Sequence, residues 1–324
     1  MVGSLETAGE RLAIECALPW VADLLTEGAG GEIRAGEDPD ATIEISIEPQ
    51  RGPFDVRGWE LLTRGAWRRG REVVIADPCT AGFDLHLSCT AERAQFHYRW
   101  RPPRRTRAAS WLLRSRFHLL ARAVLLQYPA LWWAGRQGRV PFHASACTDG
   151  TSTALVTAPS GIGRSTFVLE QVRAGAKATG DNLAVADGAT VWGLVEPLRI
   201  DGGSGRRMPH GRHEAPLPDR VDALSPDRIV VLQRGSADHA ELVACSPESA
   251  ARALVTSTYM AGELRRYWAF AATLSAGAGI GPAHPPLTEV ASALTQRLPC
   301  FSLLLGRTPA PILAHAFATP EVAA

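Results

Sequence analysis

The 324 residues carry 34 basic and 33 acidic side chains, a net charge of +1 that gives no global electrostatic ground for nucleic acid or an anionic membrane as partner. Hydrophobic residues make up 46% and charged residues 21%, which excludes a disordered chain and, at this length, leaves one large domain or two ordinary ones. Six scattered cysteines without a C-x-x-C pair exclude a disulfide scaffold and point to reduced thiols.

The first six residues have no basic start followed by an apolar run, so no signal peptide is expected and a cytoplasmic location is. After an initial helix, residues 41–48 alternate apolar and polar side chains, the period of a strand with one buried face. Similar short runs at 72–75, 83–89 and 95–100 make residues 1–107 a β-rich N-terminal region. Pro102-Pro103 marks a boundary, and a helix is expected over 108–128 within a linking segment 108–139. The apolar stretch 111–133 is interrupted by Arg114, Arg116, His118 and Arg122, too many charges for a bilayer span. The arginines between Arg99 and Arg116 read as a solvated helix face, with docking of an acidic peptide as the other reading.

From residue 140 onward strands alternate with helices. Strands are expected at 140–146, 153–157, 190–195, 228–233 and 301–305, a short apolar element at 184–186, and helices at 165–173, 247–256, 262–273 and 287–296. The expectation is an α/β domain over 140–324, with a mixed sheet and flanking helices able to bind a nucleotide.

Between an expected strand and helix lies Ala158-Pro159-Ser160-Gly161-Ile162-Gly163-Arg164-Ser165-Thr166. The phosphate-loop pattern G-x-x-x-x-G-K-[ST] needs this placement, because backbone N–H groups and a helix N-terminus then converge on the phosphates. Ala158 stands in place of the first glycine, which is harmless where its φ is negative. Arg164 stands in place of the lysine, and a planar fork is not equivalent to a compact ammonium. Either Arg164 contacts phosphate in an adjusted pose, or it marks weakened transfer. Ser165 occupies the position whose hydroxyl meets Mg²⁺.

With Phe142-His143-Ala144-Ser145 before the loop and Thr179-Gly180-Asp181-Asn182-Leu183 after it, the stretch 140–201 resembles the core of the HPr kinase/phosphorylase family in order and spacing. The resemblance implies an HPr kinase-like phosphate-loop domain using ATP and Mg²⁺. It makes Asp181 the base toward the acceptor hydroxyl and His143 its partner, with residues 158–166 holding the phosphates and Ser165 and Asn182 the metal. The family carries a second acidic residue after the aspartate; here Asn182 has only its carbonyl oxygen to offer, and Glu196 or Asp201 are the nearest compensating carboxylates. Residues before 139 do not look like the N-terminal domain of the bacterial enzyme. Shorter relatives that phosphorylate a precursor peptide imply a peptide or protein hydroxyl as acceptor, and homo-oligomers occur in the family.

Two rivals stand beside that reading: a kinase of a small molecule such as free serine, and a nucleotide-binding partner protein that has lost catalysis. The glycine-rich segment 201–207, with Arg206 and Arg207, reads either as a flap over phosphate or as an ordinary loop. His210 and His213 lack the neighbours of a zinc site.

Overall fold

The computed structural model describes all residues except 50, 51, 203, 209, 210, 237 and 307–324. Its α-helices are α1 (Pro19–Gly28), α2 (Arg104–Leu112), α3 (Arg114–Arg122), α4 (Tyr128–Arg136), α5 (Arg164–Arg173), α6 (Pro247–Met260), α7 (Tyr267–Ala278) and α8 (Leu287–Arg297). Among the described residues no helix is long and apolar enough to cross a membrane. The chain forms two compact units, one of Met1–Gln137, Arg206–Gly211 and Arg266–His284, the other of the remainder.

The first unit is built on a nine-stranded sheet. Its strands are β1 (Val2–Thr7), β2 (Glu10–Cys16), β3 (Arg34–Ala35), β4 (Ile43–Pro49), β5 (Glu60–Thr63), β6 (Ala66–Arg69), β7 (Glu72–Ile75), β8 (Phe83–Cys89) and β9 (Ala94–Trp100). They lie in the order β3-β1-β2-β4-β9-β8-β7-β6-β5, with β4 parallel to both neighbours and every other pairing antiparallel. The alternation in β4 buries Ile43, Ile45 and Ile47 on one face, and β8 and β9 add Leu85, Leu87, Phe96 and Tyr98. A face this apolar needs a cover. α4 supplies the fully buried Trp132 and Trp133, and buried Tyr98 donates its hydroxyl to the Val124 carbonyl at 2.7 Å. α7 completes the layer, where Ser275 Oγ accepts from Trp132 Nε1 at 2.9 Å.

The second unit contains three sheets. Its strands are β10 (Val140–Phe142), β11 (Ala144–Thr148), β12 (Thr153–Thr157), β13 (Lys177–Ala178), β14 (Ala184–Ala186), β15 (Val191–Gly193), β16 (Leu198–Ile200), β17 (His213–Ala215), β18 (Ala223–Leu224), β19 (Arg228–Arg234), β20 (Glu241–Ala244) and β21 (Cys300–Leu305). The six-stranded sheet runs β13-β11-β12-β19-β21-β20, parallel only across β12, β19 and β21. An antiparallel sheet runs β10-β14-β15-β18, and β16 pairs with β17. Val156, Val230, Leu232 and Leu303 of the larger sheet meet Phe167, Val168 and Val172 of α5 in one apolar cluster. The unit is therefore α/β, with mixed sheets and flanking helices.

The expected three-part division differs from this one. Residues 108–137 fall in the first unit, and the buried side chains of α3 and α4 lie in it. The segment 140–324 is not continuous, since Arg206–Gly211 and Arg266–His284 return to that first unit. The expected strand 140–146 is two strands in different sheets, meeting at His143.

Candidate phosphate-binding site

β12 ends at Thr157, and the chain turns through 158–163 into α5. Ala158 is buried and is not among the residues with positive φ, so alanine fits where the motif has its first glycine. Gly161 and Gly163 have φ of +84° and +119°, a region that side chains disfavour. Gly163 is the N-cap of α5 and brings no side-chain cap, which leaves the amides of the first turn facing outward with the positive end of the helix dipole behind them. Ile162 turns the other way, against the apolar cluster. Arg234 Nη2 donates to the Gly161 carbonyl at 2.8 Å and steadies the tip. A cavity of about 140 Å³ opens here, walled on this side by Pro159, Ser160, Gly161, Gly163, Ser165 and Thr166.

Opposite the helix start lies the turn carrying Asp181 and Asn182. Glu196 Oε1 accepts from the amides of Asn182 and Leu183 at 3.0 and 3.1 Å, and the Leu194 amide donates to the Leu183 carbonyl at 3.0 Å. Gly193 allows that approach, because a Cβ there would lie 1.8 Å from the Thr179 carbonyl oxygen. Ser165 Oγ donates to Asp181 Oδ2 at 3.0 Å, so the loop and the aspartate expected to work together are adjacent. Asp181 is fully buried and stands behind Ser165 rather than on the cavity wall. Its Oδ1 has no hydrogen-bond partner among the described residues. Burial pushes this carboxyl up from the usual range, against the opposing pull of the Arg164 charge.

Arg164 is buried, and its guanidinium reaches past the cavity into the protein. Nη1 donates to the His143 carbonyl at 2.8 Å, Nε to the Asp181 carbonyl at 3.1 Å, and Nη2 to the carbonyl and Oδ1 of Asn182 at 3.2 and 2.8 Å. A planar fork serves several acceptors at once, which an ammonium cannot match. Arg164 thus ties the strand switch at His143 to the Asp181 turn. Arg164 still lines the cavity, and two further cations on its wall are Arg199 on β16 and Arg212 next to β17. Arg199 Nη1 pairs with Glu263 Oε1 at 2.7 Å, and Glu263 also lines the cavity.

His143 lines the cavity from the junction of β10 and β11. Its amide donates to Thr258 Oγ1 at 3.0 Å, its carbonyl accepts from Arg164 and Thr157, and its Nδ1 has no partner among the described residues. Burial holds the imidazole well below its ordinary range, assisted by the Arg164 charge and opposed by Glu263. It is neutral at pH 7.

Among the described residues no cluster of three His, Cys, Asp or Glu is placed to hold a metal by itself. Mg²⁺ is commonly bound through one or two protein ligands together with substrate phosphates; Ser165, on the cavity wall and hydrogen-bonded to the Asp181 carboxylate behind it, is the residue that suits that mode. The amide oxygen of Asn182, expected as a ligand, is instead held by Arg164. Glu196 braces the Asp181 turn, while Asp201, with its side chain 88% exposed, lies 3.7 Å from Arg212. Arg206 pairs with Glu27, the Arg207 carbonyl accepts from Ser115, and His213 faces the Gly205 carbonyl. Gly203 and His210 lie outside the described residues.

No protein-family model and no curated protein matches the chain. Among solved structures, the Hpr(Ser) kinase/phosphatase from Coxiella burnetii is similar over 29% of this chain, at 16% identity and a TM-score of 0.23. The chain spans 65% of the length of that protein.

Proposed function

We propose that the second unit binds ATP with Mg²⁺ and transfers the terminal phosphoryl group to a serine-type hydroxyl, carried by a peptide or protein. The observation that supports this most is the cavity at the start of α5, rimmed by loop glycines and by Arg199 and Arg212, with Ser165 on its wall and Asp181 hydrogen-bonded behind it. Outward amides and a helix dipole favour polyphosphate, and the two arginines add charge where the terminal phosphate would sit. Ser165 is the residue to hold Mg²⁺, with the Asp181 carboxylate behind it orienting its hydroxyl, and the ion when bound would neutralise phosphate charge. Free serine is the other acceptor of the same chemistry.

Calorimetry with MgATP is expected to give saturable binding, and label from γ-labelled radioactive ATP should reach a serine-containing peptide. Asp181→Ala is expected to lower transfer by about a hundredfold or more. A second reading, a nucleotide-binding protein without transferase activity, is favoured by the inward Arg164 and the secluded Asp181. ATP binding with no transfer by the wild-type protein would select it; absence of binding would end both readings.

A further inference from the structure

Phosphoryl transfer to an alcohol needs an acceptor for the hydroxyl proton within reach of the attacking oxygen. Asp181 is fully buried behind Ser165 and absent from the cavity wall. The carboxylate that does line the cavity is Glu263, from the segment between α6 and α7. It faces the same space as His143, and each senses the charge of the other. Arg199, which lines the cavity too, holds Glu263 at 2.7 Å through Nη1, while its buried Nε has no partner among the described residues. A buried donor without an acceptor on a cavity wall is suited to an anion.

We infer that Glu263 receives the acceptor's proton, and that Arg199, shared between Glu263 and the terminal phosphate, couples its position to nucleotide binding. The inference rests on the phosphotransferase reading above. In the step, the acceptor oxygen bonds to the γ-phosphorus, and the bond from that phosphorus to the β,γ-bridging oxygen breaks. The nucleoside diphosphate leaves with the electron pair, and the hydroxyl proton passes to the Glu263 carboxylate and then to water as product departs. His143, neutral and beside Glu263, positions the hydroxyl.

The test is steady-state transfer from γ-labelled ATP to L-serine and to a mixture of serine-containing peptides. Glu263→Gln, which keeps the shape of the side chain, is expected to lower kcat by about a hundredfold or more with little change in the KM for ATP. Glu263→Asp, which keeps a carboxylate, should recover part of the loss, and melting curves check that both variants fold. Wild-type kcat in Glu263→Gln, beside a large loss in Asp181→Asn, overturns the inference and leaves the kinase reading standing. A raised KM for ATP at unchanged kcat also overturns it, since Glu263 would then only support Arg199. ATP binding by the wild-type protein without transfer to either acceptor overturns the inference and the kinase reading together.

Discussion

At the scale of single residues, Arg164 is the position where motif and structure part. The motif places a cation on phosphate, whereas here the cation links three backbone carbonyls and one amide oxygen inside the protein. Lysine cannot serve that set, so Arg164→Lys is expected to lose about 2–3 kcal/mol of stability in chemical denaturation. ATP affinity should change little; tighter binding with unchanged stability would instead put this side chain on the phosphates. His143 gives a second expectation. Its folded-state proton affinity is depressed, so the unfolded chain binds one more proton below about pH 6.5, and stability falls with acidification by up to about 1.4 kcal/mol per pH unit. Asp181, shifted upward by burial, acts in the opposite sense. Denaturation from pH 7 to 5, with and without His143→Gln, isolates the histidine: the slope should flatten in the variant.

At the scale of elements, the sequence is most legible where periodicity and punctuation agree. The alternation of β4, the β12–loop–α5 passage and the helix over 287–296 all lie where expected, because one buried face or a glycine-bearing turn leaves a local pattern. Other features leave none. β10 and all of β11 except Thr148 are buried, so no periodicity marks the change of sheet at His143. The three-residue strands β16 and β17 are too short for a period, and their surroundings read as a loop. Their brevity concealed Arg199 and Arg212. Glu263 was hidden by a helix expected over 262–273, whereas α7 begins only at Tyr267 and the glutamate lies in the connection before it. Residues drawn together by long-range pairing have no spacing to read.

At the scale of the molecule, the two units are interlaced along the chain. α7 comes more than a hundred residues after α4, yet Trp132 finds its hydrogen-bond partner there, and Gly277 approaches so closely that a Cβ would lie 2.6 Å from Val73 Cγ2. A fragment ending at Gln137 is therefore expected to bind a hydrophobic dye and to melt without a cooperative transition, although its nine strands are all present. Cooperative melting by that fragment would show that α7 is dispensable. During synthesis the same arrangement imposes a wait. The N-terminal sheet leaves the ribosome long before the helix that finishes its cover, so for much of translation an oily surface stands open to chaperones or to its neighbours on the same message.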